Sequence, residues 1–297
     1  MSTTESWTVG RLLTWTADYL KKSGSPSPRL DAEVLLSHAR GCQRIELYTA
    51  FDEEPTEQVR AAFREMVKRR AEGSPVAYLV GYKEFYSATF EVNPDVLIPR
   101  PETEHLVVEA LDRAKELTGS IAQNRNLEIV DVGTGSGAIA VSIAKHYSKC
   151  HMTAVDISPA ALSVAQRNAQ RHGLTEDRIK FVEGDLLSWC NADQKFDLIL
   201  SNPPYVSTDE FQSLAKSVKE FEPRLALVSE PSGGSIIKRL NQQAAALLNA
   251  GGYLIFEFSP MLAPQLPEMI EQPHAWSSPQ ITKDLAGHAR IVTLRKL

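Results

Sequence analysis

The chain has 297 residues, 43% of them hydrophobic, enough for one large or two modest domains with a real core. Its 32 Lys and Arg stand against 37 Asp and Glu, a formal net charge of −5 that argues against bulk binding of nucleic acid, because dedicated binders are basic. Three scattered cysteines, Cys42, Cys150 and Cys190, form no CxxC pair, and the seven histidines are dispersed, so neither a disulfide scaffold nor a zinc cluster is expected.

The opening MSTTESWTVGRLL has neither a basic n-region nor a long apolar core, and no later stretch offers the ~18 apolar residues of a membrane span. The expectation is a soluble, cytoplasmic, monomeric protein without a membrane partner. Residues 1–80 read as short helices. Val9, Leu12, Leu13 and Leu20 share one helical face, with Gly24 as the stop. Pro28 opens a second helix that ends at Gly41. In a third, Val59, Phe63, Met66 and Val67 form the apolar stripe, and the basic run at 68–70 suits its negative end.

The period then changes. EFYSATFEV (84–92) is aromatic and β-branched and predicts a strand or hairpin arm. An extended, proline-rich NPDVLIPRPETE leads to a helix opened by Pro101, and the polar TGSIAQNRN (118–126) predicts a surface loop. From 127 onward strands and helices alternate: LEIVDVG, HMTAVDI, RIKFVEGDL, FDLILSNPPY and YLIFEFS are strands, and QITKDLAGHARIVTLRK is two more around Gly287. This pattern predicts an α/β fold, a mostly parallel sheet with helices on both faces. The domain plan is a small N-terminal helical, substrate-docking domain over 1–83, a hairpin or extended linker over 84–98 and a catalytic domain over 99–297.

VDVGTGSGAIA puts Gly133, Gly135 and Gly137 at the first strand-to-helix turn, where backbone N–H groups meet a ligand at a helix N-terminus. Gly133, Gly135 and Ala138 also fit G-x-G-x-x-G/A, so S-adenosylmethionine and NAD are equally compatible at this point. Asp156, ending the second strand, is a ribose ligand in either case; Ser158 is the better cap for the next helix. Asp185 adds a carboxylate on the same edge, suited to an adenine amino group or to capping a turn.

The stretch SNPPY (201–205) is the most specific. A buried strand runs into two prolines, which end the ladder and leave carbonyl acceptors with almost no backbone freedom. Asn202 adds a side-chain carbonyl, and Tyr205 a flat face. The array of Asn202, Pro203, Pro204 and Tyr205 suits a planar –NH2 group. Such a nitrogen is a poor nucleophile because its lone pair is delocalised, as the ~18–20 kcal/mol rotation barrier of an amide indicates. Gripping both N–H bonds and placing the lone pair in line with a methyl carbon supplies on the order of 7–11 kcal/mol through orientation. No strong general base is needed.

These residues resemble class I S-adenosylmethionine-dependent amino-methyltransferases, with DVGTGSG, Asp156 and NPPY in order. PVAYLVGYKEFY, VLIPRPETEHLV, SNPPYV, FEPRLALVSEPSGG and KDLAGHARIV are further similar to the HemK/PrmC family of release factor glutamine methyltransferases, from about residue 70 to the C-terminus. The resemblance implies a Rossmann-like, seven-stranded domain that uses S-adenosyl-L-methionine, yields S-adenosyl-L-homocysteine, needs no metal and methylates the amide N(5) of the GGQ glutamine in class 1 release factors. It implies cofactor contacts from Gly133, Thr134, Gly135, Ser136, Gly137, Asp156, Asp185, Leu186 and Asn202, with Asn202–Tyr205 on the glutamine. Leu186 stands where some members carry Trp, implying weaker adenine stacking. Arg100 and Glu102 either close over the substrate or cap the helix behind them. An adenine amino-methyltransferase of DNA or RNA, an NAD oxidoreductase and a non-catalytic translation-binding module are the competing readings.

Overall fold

The computed structural model describes residues 6–120, 125–229, 233–270 and 273–297. The chain divides into two compact units, the first comprising the stretch up to Tyr82 together with Ala215–Phe221, the second Lys83–Leu214 with Glu222–Leu297.

The first unit is helical. Helix α1 (Val9–Lys22) starts where the Thr8 hydroxyl accepts from Arg11 N, and α2 (Pro28–Arg40) ends at Gly41 in left-handed geometry. The short α3 (Glu46–Thr49) precedes α4 (Glu57–Ala71), which is capped by Thr56 and carries Lys68, Arg69 and Arg70 in its last turn; α5 (Val76–Val80) follows. Val9, Leu12, Leu13, Leu20, Leu35, Leu36, Phe63 and Val67 form its core, the predicted stripes facing one another. Nothing in the local sequence of Ala215–Phe221, which includes the single-turn helix α10 (Lys216–Lys219), marks it as part of this unit.

The predicted hairpin is β1 (Tyr82–Phe85) and β2 (Ala88–Glu91), two residues earlier than expected at its start. Its two turn residues, Tyr86 and Ser87, both have positive φ (47° and 57°), the primed geometry that matches strand twist, here without glycine. The Glu104 carboxylate accepting from Tyr86 N at 3.0 Å holds the turn in place. A 3-10 turn at Pro101–Thr103 leads into α6 (Glu104–Ser120), so the helix runs into the stretch expected as loop; residues 121–124 of that stretch lie outside the described residues.

The second unit is built on β3 (Leu127–Val132), β4 (Cys150–Asp156), β5 (Ile179–Glu183), β6 (Phe196–Ser201), β7 (Leu248–Glu257), β8 (Gln280–Lys283) and β9 (Ala289–Arg295). They form one seven-stranded sheet in the order β5-β4-β3-β6-β7-β9-β8, parallel up to β7, with β9 inserted antiparallel between β7 and β8. The helices between strands are α7 (Ala138–His146), α8 (Pro159–Arg171) and α11 (Ser235–Leu247), with short α9 (Thr208–Ser213) and α12 (Leu266–Met269) in the connections. Alternate strand residues feed two cores. Ile129, Leu198, Leu200 and Ile255 pack with α6 and α7; Val130, Val132, Ile199, Leu254 and Phe256 pack with α11. This is why the strands read as continuous apolar runs. The one charge inside β6, Asp197, is 2% exposed and accepts both guanidinium N–H groups of Arg125 at 2.7 Å, with Glu128 N and Asn249 Nδ2 completing its shell.

Candidate active site

Sheet register sets the site. Val132 pairs with Val155 on one side and Ser201 on the other, and Asp156 pairs with Glu183. The residues that follow, Gly133, Asp156, Gly184 to Leu186 and Asn202, therefore emerge together on the carboxyl edge, where strand order reverses and open α/β sheets bind ligands. They line a cleft of about 300 Å³, together with Pro204, Ile157, Ile236 and Arg239.

Gly133 and Gly135 have φ of 74° and 55°, and a Cβ on either would meet nothing within 4 Å, so both turn bare backbone to open space. The rest of the glycine turn is braced by contacts within the fold. Thr134 is buried, its hydroxyl donating to Asp131 Oδ2 at 2.7 Å. The Ser136 carbonyl accepts from Asn168 Nδ2 at 2.8 Å. Gly137 faces α8, with Ala165 Cβ 3.1 Å from where its own Cβ would stand. Asp131 is wholly buried, which pushes its carboxyl up to about 7, against hydrogen bonds from Thr134 and Ala140; its Oδ1 has no partner.

Asp156 accepts from Gly135 N and Ser158 N, each at 2.9 Å, and so clamps the glycine turn while keeping lone pairs toward the cleft. Burial raises its pKa against those two bonds. Ser158 caps α8, as expected. The Asp185 carboxylate accepts from Arg239 of α11 at 2.6 Å. Leu186 is held at φ 53°, a conformation that costs a non-glycine residue on the order of 1–3 kcal/mol, and its neighbour Leu187 N is fastened to Gln243 Oε1 at 2.8 Å. The strain turns residue 186 to the cleft.

At the β6 elbow Pro203 is buried and Pro204 lines the cleft. Asn202 Nδ2 donates to Thr103 Oγ1 at 3.1 Å, and the Thr103 hydroxyl donates to Glu257 Oε2 at 2.6 Å. Tyr205 OH donates to the other oxygen, Oε1, at 3.2 Å. Burial first, then the Glu257 charge, push the Tyr205 phenol upward, so it stays protonated. Burial raises Glu257 as well, opposed by the two hydroxyl donors and by Arg290. Thr103 and Glu257 are site residues that motif reading passes over. A single Glu inside YLIFEFS was the available signal, since an unpaired charge in a buried strand is costly; Thr103 carried none. Arg100 pairs with buried Glu222 at 2.6 Å, whose other oxygen accepts from Ile98 N, and it stands at the N-cap of the 3-10 turn ahead of α6. The Glu102 carbonyl accepts from, or is approached by, His105 Nδ1 in the first turn of α6.

Among the described residues no helix is long and apolar enough to cross a membrane, and no group of three or more His, Cys, Asp or Glu is placed to hold a metal ion.

Comparison with known proteins adds the identity. Residues 11–81 match the PrmC N-terminal domain and residues 123–288 a methyltransferase domain. The chain is 53% identical over 290 residues to the release factor glutamine methyltransferase of Rhodopirellula baltica, covering 98% of this chain and 97% of that one. It is 40% identical to that of Koribacter versatilis, covering 94% and 95%. Among solved structures, the hMettl16 catalytic domain, in complex with an RNA hairpin, superimposes with a TM-score of 0.54 at 15% identity over 77% of this chain and 81% of that one. The T. thermophilus 16S rRNA methyltransferase RsmC, in complex with AdoMet and guanosine, gives 0.50 at 19% identity over 73% and 50%. These two likenesses speak for the class I methyltransferase fold alone. Identity of this extent over nearly the whole length, on a sheet with this strand order, means that the chain belongs to the release factor glutamine methyltransferase family.

Proposed function

We propose that this enzyme methylates the side-chain amide nitrogen of a glutamine in a class 1 peptide chain release factor, the glutamine of the GGQ motif, using S-adenosyl-L-methionine. The observation that carries the site assignment is the Asn202 amide: its nitrogen is committed to Thr103, which leaves the carbonyl oxygen as a free acceptor at the cleft. Asn202 Oδ1 and the Pro203 carbonyl grip the two N–H bonds of the glutamine, Pro204 limits its approach, and Tyr205 packs its plane. Held so, the nitrogen lone pair points at the methyl carbon, and orientation supplies on the order of 7–11 kcal/mol.

The cleft suits the cofactor. Bare backbone at Gly133 and Gly135 leaves room where any side chain would intrude, Leu186, Ile157 and Ile236 give apolar walls, and Asp156 and Asp185 put carboxylates on the rim. Gly133–Gly137 would hold the methionine portion, Asp156 the ribose hydroxyls, and Asp185 and Leu186 the adenine. The cofactor supplies a methyl on a sulfonium and leaves as S-adenosyl-L-homocysteine. The methylated amide nitrogen then loses its proton to water.

The first helical unit is the part that docks the substrate protein in this reading. Its exposed aromatics support that role: Trp15 is 51% exposed and stacked on Tyr19, ring centroids 5.2 Å apart. The net charge of −5 favours a protein over a nucleic acid as stable partner, and we read the enzyme as monomeric and cytoplasmic. Mass spectrometry of a release factor incubated with enzyme and cofactor tests the proposal; one added methyl on the GGQ glutamine is expected. Label that reaches adenine in oligonucleotides and never the factor overturns it.

A further inference from the structure

The three atoms linking β7, the 3-10 turn and the β6 elbow form a chain whose proton arrangement follows from the charge on Glu257. Glu257 is 1% exposed and Thr103 4%, so water does not compete for either. A hydroxyl has one proton to give. With Glu257 ionised, the Thr103 proton goes to its Oε2 at 2.6 Å, and Thr103 Oγ1 is left as an acceptor. Only the NH2 end of Asn202 can then face Thr103, and it does, at 3.1 Å. The Asn202 oxygen is thereby turned outward. Tyr205 OH, donating to Glu257 Oε1 at 3.2 Å, satisfies the second carboxylate oxygen and keeps the carboxylate an acceptor on both sides.

We infer that Thr103 and Glu257 are positioning residues, which set the orientation of the Asn202 amide and so decide that an acceptor, not a donor, meets the substrate nitrogen. The inference rests on the functional reading above only for its effect on turnover. A flipped Asn202 would present N–H groups to the substrate –NH2 and repel it.

The charge on Glu257 is part of the device. The groups facing it are Thr103 and Tyr205 as donors, Arg290 of β9 as a stabilising cation and Glu102 as a destabilising anion. When Glu257 takes a proton it can donate to Thr103, which frees the Thr103 proton to point at Asn202 and favours the flipped amide. Turnover therefore falls as the pH drops through the raised Glu257 pKa. Arg290 and Glu102 set where that limb lies.

The test uses the full-length enzyme, S-adenosyl-L-methionine and a release factor. Thr103→Val keeps shape and removes the hydroxyl; kcat should fall on the order of tenfold to a hundredfold, with cofactor Kd within about threefold of wild type. Thr103→Ser should restore most of the rate. Glu257→Gln should lower kcat and abolish the acid limb of the pH profile. Placed in an Asn202→Ala background, Thr103→Val should cost nothing more, since its target is gone. A Thr103→Val enzyme within twofold of wild type, or a further loss in the Asn202→Ala background, overturns the inference. A second arm needs no substrate: the Asn202 Nδ2 protons, assigned by their loss in Asn202→Ala, should be protected from exchange in wild type and unprotected in Thr103→Val. Unprotected protons in the wild type overturn the inference even where the release factor is methylated. A wild type inactive on the factor overturns the functional reading, and the exchange arm still decides this one.

Discussion

Asn202→Ala separates the chemistry of the elbow from the binding of the cofactor. In the structure Asn202 makes one side-chain bond inward, to Thr103, and leaves its oxygen for the substrate. During methyl transfer the substrate nitrogen gains positive charge. A neutral hydrogen bond worth about 0.5–1.5 kcal/mol thus becomes a charge-assisted one worth about 1.5–3. That difference of roughly 1–2 kcal/mol acts only in the transition state and so lowers kcat. Lost orientation of the amide adds on the order of a hundredfold, about 2.7 kcal/mol. The total is roughly 4–5 kcal/mol, or a kcat reduced on the order of a thousandfold. The cofactor side is untouched: the Asp156 bonds to Gly135 N and Ser158 N do not involve residue 202. Its Kd should stay within about threefold. Calorimetric titration of S-adenosyl-L-methionine and single-turnover methylation of a release factor give the two numbers. A kcat within threefold of wild type refutes the reasoning, and so does a loss of cofactor affinity as large as the loss of rate.

Three further outcomes follow from the same geometry. Gly233→Ala should slow turnover about tenfold or more while sparing cofactor affinity, because φ is 81° there and a Cβ would stand 2.6 Å from the Tyr205 carbonyl, pushing the elbow; the paired titration and turnover assays check it. Asp131→Asn should change the pH dependence of stability. The Asp131 pKa is raised from 3.8 to about 7, so its contribution favours the fold below the unfolded value and is lost as the pH rises to about 7. The stability of the variant relative to wild type should improve by up to a few kcal/mol across that window in denaturant melts, and a flat difference would contradict the assignment. Leu186→Gly should relieve backbone strain but also remove an apolar side chain that packs on the second core and walls the cleft, so Tm should not rise, while cofactor affinity weakens roughly tenfold. Unchanged affinity would take residue 186 out of the binding surface.

Local chemistry made much of this protein legible before any coordinates. Buried parallel strands show as apolar runs, as in FDLIL before SNPPY, because both sheet faces are covered and no polar alternation survives. Prolines stop a strand and glycines permit a left-handed turn through their own covalent geometry, so the two loops that meet at the cleft announced themselves and their level on the sheet edge. Tertiary structure alone decided what those loops touch. Thr103 reaches Asn202 across 99 positions and Glu257 across 154, and Arg100 pairs with Glu222 across 122. The left-handed Leu186 and the grouping of Ala215–Phe221 with the N-terminal helices are likewise invisible in their own residues. The physical reason is the range of the forces involved: backbone sterics and hydrophobic periodicity act within a few residues, whereas a buried hydrogen bond exists only after strand register and helix packing have carried distant groups to within about 3 Å of each other.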